Sequence, residues 1–478
     1  KGTVVYRKNR TVAFLSQEPN LNTSLTIEQT ILASENPVLE VIQAYLDGKY
    51  THTLRLIVKI ENRELNALFM SNKIFLAEDS SFKSSNIEIK TYSFFEECAI
   101  QLFEDNYIDG DSDTITSSHD EYSIAIVGEG ILANKIIYEA AKVGHLPNEN
   151  VLNIHLIGDD PEGFKHAILR SYPYIEDIPT IKLHTQRLNY NSLEFYKNSL
   201  WYTNNLTNII ICHDDENINL EIASSMQDKT FLQEENIATK VLFGVYNQGS
   251  IAQKLDEDDE NFKRFRTFGN AQGILAIENL FDDKNHMIAK LVNYTYDLLA
   301  NENHKTAYNE NVKFEYQKNK NIIDEYWFKT IFTDKTSSLA QAKHINMKLK
   351  SLGLALEKSD KSLDNLLQDN RVVLDGKFDV KYKGNYPFPE RFGDTLFHKM
   401  IRLEHNRWNA YHYLNGWKVS ANKAKTIKKH DCLRPLREFP HHFTGEKDLT
   451  KLIEWDIYAT MYIPNYLAEA GYEIINSG

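Results

Sequence analysis

Short apolar runs alternate with helical stretches through the middle of the chain. The runs lie near residues 123–127, 151–157, 179–184, 207–212, 239–246 and 264–268. Apolar runs of strand length separated by helices are typical of a mostly parallel sheet, in which each helix connects one strand to the next. The pattern therefore predicts an α/β fold with a mostly parallel sheet over residues 122–285.

The first apolar run leads directly into a glycine-rich turn. The spacing Gly128-x-Gly130-x-x-Ala133 matches the glycine fingerprint of a dinucleotide-binding βαβ unit, with alanine in the third place. Gly128 permits the tight turn, and Gly130 lets a pyrophosphate approach the backbone, where the next helix offers unpaired N–H groups. We therefore expect a Rossmann fold that binds a nucleotide at Gly128, Glu129, Gly130, Ile131 and Ala133.

Further candidate contacts lie where two other strands end. Asp159 and Asp160 close the second strand, where an acid would hold a ribose hydroxyl, although they lie beyond the usual ~20 residues from the glycines. His213 and Asp214 follow the strand that ends at Cys212, and ligands collect at this edge of such sheets. The alternative interpretation, which we favour, is an acidic run at a helix N-terminus preceded by a solvated histidine.

The residues before this sheet repeat part of its pattern. A strand from Leu54, a strand from Ile87 and a helix near residues 94–103 follow one another, and the same order returns at Lys240 and Phe265. Such a recurrence indicates two copies of one α/β unit. The first copy, residues 49–108, would be partial, and residues 109–121 would be a polar, flexible connection.

Beyond Asp283 the pattern becomes helical, and Arg391–Leu414 forms its clearest helix. Glu404 lies at the centre of an apolar face that contains Phe397, Met400, Ile401, Trp408 and Tyr411. The opposite, polar side contains His398, Arg402, His405, Asn409 and His412. A carboxylate in an apolar face is costly unless it is paired. Either Glu404 makes a buried hydrogen bond that holds two helices in register, or it faces a small pocket beside Trp408 and Trp417.

Two features after this helix carry possible chemistry. The lysines at positions 418, 423, 425, 428 and 429 form a basic patch, which is either a solvated loop or a receptor for phosphates. His430, Cys432, His441 and His442 have a spacing that fits no zinc pattern, so we expect no metal.

Composition limits the classes of protein to which the chain can belong. The net charge of −13 argues against a surface that binds duplex nucleic acid. No apolar run approaches the ~18 residues that a bilayer requires, so we expect no membrane insertion. The three cysteines are far apart and show no paired spacing, which favours a reducing compartment. We therefore expect a cytoplasmic protein.

Residues 52–285 resemble the TrkA N-terminal (RCK-type) nucleotide-binding domain. The resemblance depends on the strand order, Gly128, Gly130, Ala133 and the strand-end acid Asp159. It implies an NAD-type ligand and a role in regulating potassium transport, with an ion channel or another effector protein as partner. A homodimer is also among the expected assemblies.

The C-terminal part resembles the RyR domain, the repeat first named in ryanodine receptors and also found fused to TrkA-type domains in bacteria. The matching motifs are Leu403-Glu404-His405-x-Arg407-Trp408, Leu414-x-Gly416-Trp417, His430-x-Cys432-Leu433-x-Pro435, Trp455-Asp456 and Ile463-Pro464-x-x-Leu467-x-x-x-Gly471-Tyr472. The resemblance implies a ligand-sensing or protein-docking module over residues 386–478, preceded by a helical connector over residues 286–385. Its candidate ligand contacts are Glu404, Arg407, Trp408 and Trp417.

Residues 1–48 differ in character from the rest. The segments from Thr11 to Pro19 and from Leu25 to Ile31 resemble the region around the Q-loop of the ABC-F family of ATP-binding cassette proteins, with Gln17 in the place of the family's glutamine. The sequence contains no G-x-x-x-x-G-K-[ST] loop to hold phosphates. An ATPase is therefore not expected, and we interpret this segment as a foreign or truncated piece.

These observations together predict a non-catalytic nucleotide sensor, in which the helical module transmits or receives the signal. Two alternatives stay open. The first is a Rossmann oxidoreductase or nucleotide-processing enzyme, for which His213 is the one nearby proton donor. The second is an interaction scaffold with an empty crevice.

Overall fold

The computed structural model describes the chain in fourteen segments, residues 6–7, 10–11, 44–45, 47–50, 54–62, 65–66, 87–110, 121–231, 239–246, 264–275, 284–300, 313–378, 395–443 and 449–477. The chain divides into two compact units, Lys1–Glu97 and Cys98–Gly478. Gln17 and the segment around it lie outside the described residues, so the ABC-F resemblance stays a prediction.

The N-terminal unit contains two pairs of strands among its described residues. β1 (Tyr6–Arg7) pairs with β2 (Arg10–Thr11) in an antiparallel manner. β3 (Leu54–Lys59) and β4 (Ile87–Tyr92) are parallel, and helix α1 (Phe94–Asp105) follows β4. The two strands and the helix predicted here are confirmed, whereas their interpretation as a partial second copy of the α/β unit stays a prediction.

A six-stranded parallel sheet lies in the second unit, and every strand predicted for it is present. Its strands are β5 (Glu121–Val127), β6 (Val151–Gly158), β7 (Ile181–Arg187), β8 (Leu206–Ile211), β9 (Lys240–Gly244) and β10 (Phe265–Phe268). Their spatial order is β7-β6-β5-β8-β9-β10, and all described pairs are parallel. This order is that of a Rossmann-like core, with β5 as the first strand.

Helices connect most of these strands and pack their apolar sides against the sheet. The longer helices are α2 (Ile131–Val143), α3 (Pro161–Ser171) and α4 (Glu216–Met226). Shorter helical turns lie at Ile175–Asp177, Leu193–Tyr196, Ser199–Tyr202, Gln227–Phe231 and Ala271–Ile274. In α2, Ile136, Ile137, Ala140 and Ala141 are fully buried, as the helical spacing predicts. β5 is apolar on both faces because helices cover both sides of a parallel sheet.

The C-terminal part of the second unit is mainly helical. Its helices are α5 (Lys284–Ala300), α6 (Tyr316–Lys329), α7 (Phe332–Lys343), α8 (Ile345–Ser351), α9 (Leu363–Phe378), α10 (Leu396–Leu414), α11 (Leu449–Met461) and α12 (Ile463–Glu469). The short elements after α10 are β12 (Lys418–Val419), a turn at Lys425–Ile427, β13 (Lys429–His430), a turn at Leu436–Glu438 and a helical turn at Phe439–His442.

One core runs through this helical part, so the predicted boundary at residue 385 does not separate two cores. Buried residues from Ile288 to Ile474 form a single hydrophobic cluster. In addition, β11 (Leu354–Lys358) pairs with β14 (Tyr472–Asn476) in an antiparallel manner, which joins the predicted connector to the end of the chain.

Among the described residues, no helix has both the length and the apolar character needed to cross a membrane.

Two expectations about exposure need correction. The predicted polar side of α10 is partly interior, since His405 and Asn409 are only 2% and 3% exposed. Both side chains can be buried there because they form hydrogen bonds within the interior. Asp109, predicted to begin a flexible connection, is fully buried and forms an ion pair with Lys350. Residues 111–120 of that connection lie outside the described residues.

Candidate functional site

The carboxyl ends of β5 and β8 define the crevice of the parallel sheet. From β5 the chain proceeds to β6 and β7 on one side, and β8 to β10 continue on the other side. Open α/β sheets bind ligands where the strand order reverses in this way. The structure places Gly128 directly after β5 and His213 shortly after β8, so two of the predicted site residues meet at this point.

Gly128 occupies a backbone conformation that requires glycine. Its φ is +140°, and a Cβ atom built there would lie 3.0 Å from the carbonyl carbon and oxygen of Cys212. The β5 and β8 chain ends therefore approach each other more closely than a side chain would allow. The third residue of the motif, Ala133, is fully buried, in agreement with its predicted role in close packing.

The N-terminus of α2 already holds an anion, and that anion belongs to the protein. The backbone N–H groups of Ile131 and Leu132 donate to the two carboxylate oxygens of Asp214, at 3.1 and 3.0 Å. A Cβ atom on Gly130 would collide with the same carboxylate. Asp214, an exposed residue, therefore occupies the position that the motif predicts for a phosphate, and it caps α2 from the loop after β8.

The other acids at this edge are also engaged in local contacts. Asp160 caps α3 by accepting from the N–H of Gly163, and its own N–H donates to Glu129 at 2.8 Å. Asp159 accepts from the side-chain amide of Asn189 at 2.8 Å. Burial raises the pKa of Glu129, and the charges of Asp159 and Asp160 raise it further. The crevice is therefore bordered by carboxylates, and the ribose roles of Asp159 and Asp160 stay predictions.

His213 is held by its backbone rather than by its ring. Its N–H donates to Oδ1 of Asn219 at 2.7 Å, and its carbonyl oxygen accepts from Asn219 and from the hydroxyl of Tyr246. The ring packs edge-on against Tyr190, and its Nε2 is buried without a hydrogen-bond partner among the described residues. The ring is half-buried rather than solvated as predicted, and burial lowers the pKa of His213, so the ring favours the neutral form.

The acidic run after β8 has two roles, of which the sequence predicts one. Asp215 caps α4 by accepting from the N–H of Asn217, which confirms the expected acid at a helix N-terminus. Asp214 instead reaches across to α2, 82 residues earlier in the chain. Asn219 and Tyr246, which form hydrogen bonds with the backbone of His213, belong to no sequence motif and were not predicted.

Asp214→Ala tests the contact across the crevice. We expect a loss of about 1 kcal/mol in the free energy of unfolding, since the N–H groups of Ile131 and Leu132 at the start of α2 lose the carboxylate that accepts from them. Urea denaturation followed by circular dichroism provides the measurement. The control is Asp159→Ala, which removes an exposed carboxylate that caps no helix and should change stability by less than about 0.5 kcal/mol. Equal losses in the two variants would contradict the capping role.

In the helical part, Glu404 and Arg407 lie in the interior rather than on a pocket wall. Each is 1% exposed. The guanidinium of Arg407 donates to both carboxylate oxygens of Glu404 at 2.7–3.1 Å, and Nζ of Lys348 on α8 lies 2.5 Å from Glu404 Oε2. We call Glu404, Arg407 and Lys348 the buried triad. Because the triad joins α10 to α8, it agrees with the first interpretation of Glu404, a buried polar contact that holds two helices in register. Contact with a ligand stays a prediction that would require the triad to open.

The charges within the buried triad control one another. Burial raises the pKa of Glu404, but the positive charges of Arg407 and Lys348 outweigh burial and hold that pKa below its ordinary value. Burial lowers the pKa of Lys348, and Glu404 opposes this change. The carboxylate is therefore ionised, as a buried carboxylate next to two cations should be.

Trp408 and Trp417 lie in an aromatic cluster beside the triad. His412 packs between them, with ring centroids 4.1 Å from Trp408 and 5.1 Å from Trp417, and His430 lies 5.0 Å from Trp408. Burial lowers the pKa of His412 to about 3 and that of His430 to about 4. The two histidines are therefore neutral near pH 7 and behave as aromatic packing groups.

Possible metal ligands also lie at this cluster. One ligand atom from each of His430, Asp431 and Cys432 lies within 4.8 Å of the others. However, Nδ1 of His430 accepts the backbone N–H of Cys432 at 3.1 Å, which uses one of its ring nitrogens. His441 and His442 do not belong to this group. The predicted absence of a metal stays a prediction.

Helix α2 connects the crevice to the buried triad. It begins at the Asp214 contact and packs against α10, which carries Glu404 and Arg407. His145, two residues beyond the end of α2, is fully buried, and the charges of Arg407 and Glu404 act on its imidazole. Nearby, Glu149 accepts from Asn406 at 3.2 Å. The sheet and the helical part are therefore packed together through this helix.

Comparison with known proteins gives no match to a protein-family model, to a curated protein or to a solved structure. The resemblances to TrkA-type, RyR and ABC-F domains accordingly depend on the sequence motifs alone.

Proposed function

We propose that this protein is a nucleotide sensor that binds an NAD-type dinucleotide in the crevice between β5 and β8. The observation that carries this proposal is the pair of N–H groups, on Ile131 and Leu132, that converge on a carboxylate. Asp214 stands in for one phosphate of the ligand. A site that binds the protein's own carboxylate through helix N–H groups has the geometry to bind a pyrophosphate.

Binding would exchange one anion for another. Asp214 is exposed and lies on the loop after β8, so its side chain can rotate away without disturbing the sheet. The ligand's affinity is reduced by the fraction of molecules in which Asp214 occupies the site. The pyrophosphate would then lie against Gly130, and the strand-end acid Asp159 would face a ribose hydroxyl.

The helical module would receive the signal through α2. Release of Asp214 changes the N-terminus of this helix, and its far end packs beside the buried triad. The module carries the RyR-like motifs, so its predicted role in ligand sensing or protein docking belongs to this proposal, as does the role in potassium transport that the TrkA-type resemblance implies. The described contacts at this edge of the sheet hold carboxylates and backbone groups in place, which supports a binding role, so the proposal is a sensor.

A second candidate function is an interaction scaffold, and the Asp214 contact is the observation that favours it. In a scaffold the carboxylate would be a permanent structural cap, and the crevice would bind no ligand. The two functions differ in whether the carboxylate can be displaced.

Isothermal titration calorimetry with NADH, NAD, ATP and ADP-ribose distinguishes them. Asp214→Asn should raise the affinity about tenfold, because the competing charge is removed while its size is kept. Gly130→Val should abolish binding, since its side chain would fill the phosphate position; its φ of −94° is open to any residue, so the fold should persist. Absence of heat in both the natural protein and Asp214→Asn would overturn the sensor and support the scaffold.

A further inference from the structure

The segment between Trp417 and Asp431 has a charge opposite to that of the rest of the chain. Residues 418–430, the lysine loop, contain five lysines and neither aspartate nor glutamate, whereas the whole chain has a net charge of −13. Four of these lysines, at positions 418, 423, 425 and 428, are exposed. No ion pair between described residues involves a lysine of the loop, so its charge is not neutralised within the described structure.

Backbone hydrogen bonds give the lysine loop a defined shape. β12 pairs with β13 in parallel, and Ala424 and Lys429 exchange two backbone hydrogen bonds of 2.9 and 3.1 Å. Lys428 has a left-handed backbone, with φ of 50°, and its Nζ donates to the carbonyl oxygen of Asn415. A surface that is ordered before it binds loses little conformational entropy on binding.

Two aliphatic side chains are exposed within this positive surface. Ile427, at the end of the helical turn Lys425–Ile427, is 59% exposed, and Val419 is 45% exposed. Aliphatic residues surrounded by lysines are the combination that enters the boundary between lipid headgroups and acyl chains. The lysines attract anionic headgroups, and the aliphatic side chains are removed from water.

The composition of the loop favours a lipid surface over nucleic acid. Single-stranded nucleic acid is bound by exposed aromatic rings on which bases stack. The tryptophan adjoining the loop, Trp417, is only 9% exposed and packs against His412, so it offers no stacking platform. The negative charge elsewhere does not prevent docking, because charges further away than a Debye length of about 8 Å are screened at physiological salt.

We propose that the lysine loop docks the protein on a bilayer surface that carries anionic lipid headgroups. The lysines contact the headgroup phosphates and carboxylates, and Ile427 and Val419 enter the interface without spanning it. This inference is independent of the crevice and of the ligand proposed for it.

Co-sedimentation of the full chain with vesicles tests the proposal. We expect binding to vesicles of phosphatidylcholine mixed with phosphatidylserine, weaker binding as salt is raised, and little binding to phosphatidylcholine alone. Lys423→Ala/Lys425→Ala should lower the partition coefficient roughly 25-fold, about fivefold for each lysine. Ile427→Ser should lower it about tenfold, because the aliphatic side chain no longer leaves water.

A matched control removes the same charge elsewhere in the same unit. Lys320 and Lys358 are exposed and lie outside the loop, so Lys320→Ala/Lys358→Ala should bind vesicles as the natural protein does. Equal losses in the two double variants would overturn the proposal, as would equal binding to both kinds of vesicle or to neither. Loop-dependent binding of single-stranded RNA or an acidic peptide without binding of anionic vesicles would also overturn it. Circular dichroism of each variant verifies that the fold is retained.

Discussion

Glu404→Gln is expected to lower the free energy of unfolding by about 3–5 kcal/mol. The substitution keeps the size of the side chain and removes the only negative charge in the buried triad. Arg407 and Lys348, each 1% exposed, would then lie in the interior next to a neutral amide. Chemical denaturation monitored by tryptophan fluorescence measures the change, because two tryptophans lie on or near α10.

Two further variants separate charge burial from loss of packing. Lys348→Met added to Glu404→Gln should recover part of the stability, since only Arg407 then remains uncompensated. Glu325→Gln is the surface control: it removes an ion pair of similar length, 2.6 Å to Lys329, with both partners about two-thirds exposed. Its expected loss is within about 0.5 kcal/mol. A loss for Glu404→Gln no larger than this control would contradict the role of the triad.

Acid is expected to destabilise the protein through histidines that are buried in the neutral form. Burial lowers the pKa of His145 to about 4, below its value of 6.5 in the unfolded chain. The unfolded chain therefore binds a proton more readily, so the stability due to this group is complete above pH 6.5 and is lost as the pH falls through 4. The lowered pKa corresponds to about 3 kcal/mol for His145 alone.

The hydrogen bonds of His145 explain why it resists protonation. Its Nε2 lies 3.0 Å from the carbonyl oxygen of Ala141, which can only accept, so Nε2 carries the proton. Its Nδ1 therefore accepts from the hydroxyl of Thr180, also at 3.0 Å. Burial raises the pKa of Asp456, so protonation of this carboxylate favours the folded state and opposes the loss of stability due to His145.

His145→Gln isolates the contribution of the imidazole. The variant should be less stable than the natural protein at pH 7, and the difference should shrink and then reverse as the pH approaches 4. Denaturation curves recorded at several pH values provide the comparison. The control is His166→Gln at an exposed position, which should change stability by less than about 0.5 kcal/mol. A constant difference between His145→Gln and the natural protein would contradict the assignment.

The strands of the sheet were predictable because they leave a local signal. Each strand is a short apolar run, and those of β5 and β8 are apolar on both faces because the sheet is covered on both sides. The glycine turn was predictable for a similar reason. The φ of +140° at position 128 favours glycine, and therefore the glycine itself indicates the turn in the sequence.

Contacts between positions far apart in the chain were harder to predict from the sequence. Glu404 was recognised as a carboxylate on an apolar face, but Lys348, its partner on another helix, lies in a segment that was interpreted as a connector. The strand pair β11–β14 was missed for the same reason, since each strand has only five residues and its partner is more than a hundred residues away. Periodicity reports burial, and it does not report which elements meet.

The amino-acid sequence by itself determined the α/β alternation, the turn at Gly128 and the helix that carries Glu404, because each depends on the conformational preferences and burial of neighbouring residues. Only the tertiary structure decided which group occupies the N-terminus of α2. The N–H groups of Ile131 and Leu132 attract any anion within reach, and the return of the chain after β8 places Asp214 there. The local sequence produces a helix whose N-terminal N–H groups need an acceptor, whereas the packing of distant segments determines which group accepts from them.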